Sequence, residues 1–382
     1  MSIWLKRLIA LSLVICLCFG TVALADDTDE LLFEDLSEEE LEDESEASAL
    51  FNLDSTAAAA AEEIEMEVDD TVDPDNLELN PNLPDHVVNI LLIGIDTRDT
   101  SLDAGRDGNQ HGDVQIILSI NKKDGSVKLT SIQRDSYVTI PGYKNKNRIN
   151  LAYSRGGGAL AMRTVNHNFQ MNIQYYCTIN FFGLASIIDA IGGIDIEMTK
   201  VEASAINAYL RKHPPAYDNT KGTGYKRVPL ERKAGVQHLD GVQAVMYARL
   251  REIDNDFART VRQRNLLELL KKVMQDMDMD RLFDLVDACV PYVRTNMNAA
   301  TMLELGMGIL GSGIVQKAQS GQPLMEQFRL PMGDGKEKAW SYRDIAISDR
   351  TTISVVYISD KNLQKNTEAL HNFIYGAYYP AN

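Results

Sequence analysis

Asp96 closes one strongly apolar run and Asp113 opens another, with Arg98 and Arg134 as their nearest basic counterparts in the pattern. Mg²⁺ takes one or two carboxylates and completes its shell with waters and phosphate oxygens, so two aspartates beside arginines suit a phosphate or pyrophosphate group. Mn²⁺ would serve the same ligands. The competing role is structural, with Arg98 and Arg134 neutralising the two carboxylates as ordinary ion pairs. Downstream, Arg249, Arg251, Arg259, Arg262 and Arg264 fall within sixteen residues. Guanidinium groups at that density repel one another unless an anion lies between them, and their planar fork matches phosphate oxygens in pairs.

The spacing predicts how these arginines are presented. Val245 to Arg251 alternates apolar and polar residues, which predicts a strand carrying Tyr247, Arg249 and Arg251 on one face. Asp256 is placed to cap a helix on which Arg259, Arg262 and Gln263 form a stripe at offsets of zero, three and four. A solvated surface explains either stripe alone; the two together favour a shared anion. Other chemistries lack their residues: there is no Walker A loop, H-E-x-x-H, C-x-x-C or G-x-S-x-G, and the six histidines form no ligand spacing. Gly156-Gly157-Gly158 lacks the Lys-Ser/Thr of a phosphate loop and reads as a flexible turn before a helix beginning at Ala159.

The elements that must position these residues follow from periodicity. Val87 to Ile95 is apolar at nearly every position, as in a strand covered on both faces. Val114 to Asn121 and Ser126 to Ile132 read as a hairpin about Asp124-Gly125. That turn sets Asp113 opposite Ser136 and brings it near Arg134 and Asp135. Tyr175 to Asn180 (strand), Gly183 to Ile191 (helix) and Ile194 to Met198 (strand) alternate as in an α/β domain with a mixed sheet. Prolines and glycines between Thr199 and Lys233 predict a loop or small excursion there. Helical patterns follow from Arg259 to Met277 and Ala299 to Leu310, then a strand from Thr352 to Ile358 and a helix from Lys361 to Ile374.

The flanking sequence bounds the setting. Lys6 and Arg7 precede an uncharged apolar run ending at Ala25, an export signal that is either cleaved or kept as an anchor (residues 1–25). From 26 to 80 there are 23 acids and no Lys or Arg, so residues 26–84 read as a disordered acidic linker. The net charge of −17 therefore belongs to the linker, and the 32 acids beyond it face 36 Lys and Arg. A mildly basic exported domain without basic tracts disfavours nucleic acid and permits phosphorylated lipid or polymer. Cys177 and Cys289 are the two cysteines outside the signal and suggest neither a disulfide framework nor a zinc site. Residues 85–382 read as one domain.

Six ordered blocks carry a resemblance: NILLIGIDTRD, GDVQIILSINKKDGSVKLTSIQRDSYVTIPG, RINLAYSRGG, FFGLASIIDAIGGIDI, HLDGVQAVMYARLRE and DFARTVRQRNLL. Together they are similar to the LytR-CpsA-Psr family over Val87 to about Met277. The resemblance implies a mixed-sheet α/β domain with an apolar pocket for a polyprenyl chain. It also implies Mg²⁺-assisted transfer of a glycopolymer from a polyprenyl-pyrophosphate carrier to peptidoglycan, at the outer membrane surface or in the wall. Hydrolysis of the same pyrophosphate and non-catalytic lipid binding are the alternatives. The metal ligands implied are Asp96 and Asp113, and the pyrophosphate-binding residues are Arg134, Arg249, Arg251, Arg262 and Gln263, with Arg98 and Arg259 in support. Two positions depart from the family pattern: His111 where arginine is usual, with Arg106 as a substitute, and Gln133 where proline is frequent.

Overall fold

The nine residues Val87–Ile95 form β1, and their apolar run is buried on both sides as periodicity required. The chain is described here by a computed structural model covering residues 68–95, 110–124, 126–212, 227–250, 262, 265–266, 269–270, 293–298, 301–302, 304–305, 325–333, 338–348 and 351–381. β1 pairs antiparallel with β2 (Gly112–Asn121) and parallel with β6 (Tyr175–Asn180). β3 (Val127–Ile132) runs antiparallel to β2, and β10 (Met325–Leu330) lies parallel to β3 at one edge. β9 (Val293–Thr295) closes the other, giving a mixed six-stranded sheet in the order β10-β3-β2-β1-β6-β9. A second sheet of four strands has the order β11 (Ser341–Ser348), β12 (Thr351–Tyr357), β4 (Ser136–Val138) and β5 (Asn147–Arg148). β7 (Ile194–Met198) and β8 (Gly235–Leu239) form a separate two-stranded antiparallel sheet.

Alternation along the strands sends side chains into two cores. Ile90, Leu92, Ile116 and Leu118 pack in one cluster with Ile187 and Ile188 of α2 (Phe181–Ala190) and Ala244 and Tyr247 of α4 (Gly241–Arg249). That cluster also takes Ala203 and Ile206 of α3 (Lys200–Lys212). Leu91, Ile93 and Ile117 pack on the opposite face with Val165 and Phe169 of α1 (Leu151–Phe169) and Leu370 and Ile374 of α5 (Asp360–Tyr375). Each fully buried aliphatic side chain contributes about 1.5–3 kcal/mol over exposure. The result is a three-layer α/β domain with helices on both faces of a mixed sheet, the class expected.

Four expectations are corrected. The hairpin register pairs Gln115 with Ile132 and Ile120 with Val127, so the turn centres one residue earlier than Asp124-Gly125. Continued outward, that register brings Asp113 level with Arg134, not Ser136. Gly156 and Gly157 interrupt α1 instead of preceding it; at Gly157 the backbone takes φ 63°, which glycine adopts without a Cβ penalty. The excursion predicted from Thr199 contains α3, an amphipathic helix burying Ala203 and Ile206; residues 213–226 lie outside the described set.

The fourth concerns the linker, because residues 68–84 are folded onto the domain. Val68 bridges to Thr295, and Leu77 is buried in the α1-side core. The largely buried Asp69 carboxylate accepts from the Tyr176 hydroxyl at 2.5 Å and lies 3.5 Å from Arg294 Nε. Asn80 donates to the carbonyls of Gln170 and Tyr379, at 3.0 and 2.9 Å, and Asn82 donates to that of Pro380 at 2.7 Å. These specific partners outweigh the acidic composition of the segment. No helix among the described residues is long and apolar enough to cross a membrane, and residues 1–67, where the sequence predicts an export signal, lie outside that set.

Candidate functional site

Asp113 is the second residue of β2, at the end of the large sheet where β1, β3 and β6 also finish. Its carboxylate accepts a hydrogen bond from Asn150 Nδ2 at 3.1 Å. Arg134, in the turn between β3 and β4, holds NH1 at 3.7 Å from Asp113 and Nε at 3.5 Å from Asp135. Those distances are ion-pair contacts longer than hydrogen bonds, so the Arg134 fork retains its directional donors. Asp135 also meets Arg148 NH1 at 3.3 Å. Backbone bonds fix this arrangement: Gly112 N–H donates to Asn150 O at 3.0 Å, and Asn150 N–H donates to Arg134 O at 3.2 Å.

The segments that carry the site also hold two buried polar atoms. Asn150 Oδ1 and Ser136 Oγ have no hydrogen-bond partner among the described residues. Asn150 precedes α1 without making a side-chain cap, so its amide is spent on Asp113. A carboxylate with an unpartnered amide oxygen beside it is a set of hard donors, which fits a hard cation such as Mg²⁺. Among the described residues no group of three or more metal-binding side chains gathers. Asp96 lies outside them, but the residue before it, Ile95, pairs with Gly112, the residue before Asp113.

The downstream arginines are presented otherwise than the alternation suggested. Gly241–Arg249 is a helix, not part of a strand; Asp240 caps it by accepting from Gln243 N–H, and the Gln243 side chain returns the bond to Asp240 N–H. Gly241 is required there, because a Cβ would meet the Ala185 carbonyl of α2 at 1.9 Å. This tight crossing lays the Arg249 guanidinium over the Phe181 ring at 4.4 Å. Arg262, expected on an anion-binding stripe, is buried: NH2 donates to Leu250 O at 2.7 Å and NH1 lies 3.4 Å from Glu202 of α3. It braces α3 against the end of α4. Burial, with the Glu202 charge behind it, raises the pKa of Tyr247 nearby. Asp96, Arg98, Arg106, Arg251, Arg259 and Gln263 lie outside the described residues.

The family model of the LytR_cpsA_psr family matches residues 48–338. The chain belongs to this family. Among its relatives is an Enterococcus faecalis protein named polyisoprenyl-teichoic acid–peptidoglycan teichoic acid transferase TagU. It is 30% identical over 253 residues, which span 62% of this chain and 75% of the relative. A Bacillus mycoides protein of the same name is 28% identical over 298 residues, 76% of this chain and 85% of the relative. The crystal structure of B. subtilis TagV aligns with 24% identity and a TM-score of 0.48, covering 78% of this chain and all of that one.

As a member of the LytR_cpsA_psr family the chain keeps its two departures. His111 sits immediately before β2, and its carbonyl accepts from Asp113 N–H at 3.0 Å. Gln133, where proline is frequent, donates its N–H to Leu330 O at 2.9 Å, a bond proline cannot make. The hairpin expectation already brings Asp135 near Asp113, but Asn150 and Arg148 went unrecognised although they lie within a matching block, because nothing in a linear pattern reveals which amide turns toward Asp113 or which guanidinium turns toward Asp135.

Proposed function

We propose that this protein transfers a teichoic acid or similar wall glycopolymer from a polyisoprenyl-pyrophosphate carrier to peptidoglycan at the cell surface. The observation that carries this reading is the Asp113–Arg134 contact at the sheet's end, in a chain whose family relatives are named as such transferases. Arg134, with donors not spent on hydrogen bonds, would take the pyrophosphate oxygens and offset the charge that builds on them during transfer. Asp113, with Asp96, would hold Mg²⁺, which when bound supplies further neutralisation of phosphate charge. Asn150 and Asp135 would keep Asp113 and Arg134 in register. An acceptor sugar hydroxyl would attack the polymer-proximal phosphorus, forming the new P–O bond as the bond to the polyisoprenyl phosphate breaks.

Arg249 would contact the pyrophosphate from the α4 side, steadied by Phe181. Beside it, Phe182, Leu184, Leu210 and Met246 are half-buried around Ala185, Val242 and Val245, an apolar surface suited to the carrier's isoprenyl chain. The N-terminal signal, kept or cleaved, accounts for delivery to the outer face.

Incubating the purified protein with Mg²⁺, a polyisoprenyl-pyrophosphate-linked oligosaccharide and peptidoglycan fragments tests the proposal. Oligosaccharide joined to glycan is the expected product. Release of free oligosaccharide phosphate alone would make the protein a hydrolase, and lipid binding without turnover would make it a carrier protein.

A further inference from the structure

Asn180 ends β6 and caps α2, and only half of its amide is engaged. The residue is 2% exposed; Oδ1 accepts from Gly183 N–H at 2.9 Å, and Nδ2 has no hydrogen-bond partner among the described residues. An N–H must meet an oxygen, so that bond settles which end of the amide is which. Nδ2 shares its carbon with the capping Oδ1, and a buried, uncommitted donor therefore lies at the mouth of α2.

The surroundings of this donor are electropositive. The first N–H groups of a helix have no partner within it and together act as about half a positive charge. α2 has no acidic residue in its first turn to offset them. The Arg249 guanidinium lies 4.4 Å over the ring of Phe181, the first residue of that turn. A cation beside the positive end of a helix is unfavourable unless an anion lies near both.

Position selects the anion. Ile95 of β1 pairs with Asn180 on one side and with Gly112, the neighbour of Asp113, on the other. Adjacent strands lie about 4.8 Å apart, so Asn180 stands about 10 Å from Asp113 across the sheet's end, a gap that a diphosphate and the side chains flanking it span. Beyond Asn180 the surface turns apolar through Phe181, Phe182 and Leu184. An anion seated at α2 has charged groups on one flank and hydrocarbon on the other, which describes a phosphate joined to an isoprenyl chain. A sugar phosphate would use the donors and leave the apolar flank uncovered.

We propose that Asn180 and the N-terminus of α2 form the subsite for the carrier-proximal phosphate, with Nδ2 donating to a non-bridging oxygen, while Asp113 and Arg134 face the polymer-proximal phosphorus. This rests on the transferase reading above and adds the direction in which the carrier lies. As the acceptor oxygen bonds to the polymer-proximal phosphorus, the bridging oxygen leaves with its electron pair on the polyisoprenyl phosphate and the acceptor's proton passes to solvent. Asn180 stabilises the charge that builds on the departing phosphate.

Asn180→Ser and Asn180→Asp both keep an oxygen at the cap, so α2 stays formed. Serine lacks the reach of the amide donor, and aspartate puts a negative charge in its place. Titrations without metal would compare a polyisoprenyl monophosphate with the corresponding polyisoprenol. Both variants should weaken monophosphate binding at least about tenfold, the scale of one charge-assisted hydrogen bond, and leave binding of the alcohol unchanged. Turnover of the intact donor should fall about a hundredfold. Should both variants melt early, the side-chain amide resonance of Asn180 in the wild type carries the test, by shifting with the monophosphate and staying in place with the alcohol. Wild-type monophosphate affinity in a folded variant, a wild type that holds the monophosphate no better than the alcohol, or an amide resonance that does not move would each overturn the proposal. So would a loss seen only with Mg²⁺ present, which would make the amide the orienter of a metal ligand. A wild type that binds the monophosphate through Asn180 yet transfers nothing would instead remove the transferase reading and leave the subsite standing.

Discussion

Arg134 sits between two carboxylates without being consumed by either, at 3.7 Å from Asp113 and 3.5 Å from Asp135. Replacing it by alanine should lower turnover by roughly 100- to 1000-fold, as for other donors aimed at developing charge. The melting temperature should change little, because a surface ion pair contributes at most about 1 kcal/mol. Asp113→Asn should remove most turnover as well, and chelation of divalent metal should reproduce that loss in the wild type. Adding Asp96→Asn to it should cost little more, since residues acting as one unit are not additive. Full activity after chelation would reduce the aspartates to ion-pair partners. Asp69 gives a separate prediction. Burial would raise its pKa, but hydrogen bonds from Thr71 and Tyr176 and the Arg294 charge outweigh it, leaving the carboxyl below its ordinary value of 3.8. With the folded pKa depressed, the unfolded state binds more protons as the solution acidifies. The stabilisation is therefore complete above that ordinary value and disappears as pH falls through the lower folded one. Denaturant midpoints measured across the acid range should rise with pH in the wild type, and Asp69→Asn should flatten that rise.

At the scale of elements, the most instructive segment is Gly241–Arg249. Val-Met-Tyr-Ala-Arg-Leu-Arg alternates in hydropathy as a strand would, yet Asp240 and Gln243 form a capping box that starts a helix. The cap outweighed a period-two pattern only a few residues long, and Asp-x-x-Gln ahead of an apolar run was the available signal. By contrast β1 was legible throughout, since a continuous apolar run has few homes other than a strand buried on both faces. The β2–β3 hairpin was legible in kind and wrong by one residue, because the Asp-Gly preference gives way to the pairing of Leu118 with Leu129. At the site, residue types were readable and mutual geometry was not. Asp240→Ala should lower unfolding free energy by about 2 kcal/mol through loss of the cap and of its bond from Arg227 Nε. Urea denaturation of the variant measures this, and an unchanged midpoint would mean that the box does not hold α4.

For the whole molecule, the boundary between linker and domain has a direct consequence. A protein lacking residues 26–67 should keep the wild-type melting temperature. One lacking residues 26–80 loses Leu77, Asp69 and Asn80, and should be destabilised by about 3 kcal/mol or more, the scale of removing a large core side chain. Thermal melts of the two deletions side by side give the comparison; equal stability would return residues 68–80 to the linker. The bonds from Asn80 and Asn82 to Tyr379 and Pro380 join segments almost 300 positions apart. The parallel pairings of β10 with β3 and β12 with β4 join residues 198 and 220 positions apart. A polypeptide emerging amino end first, from a ribosome or through a secretion channel, thus presents β1 to β3 long before the strands that flank them. Closing such distant contacts costs entropy before any packing repays it, so folding must be slow and must finish after release. Until then Leu370 and Ile374 of α5 are missing from the core around Leu91, Ile93 and Ile117, and a holding chaperone is the natural guardian of that interval.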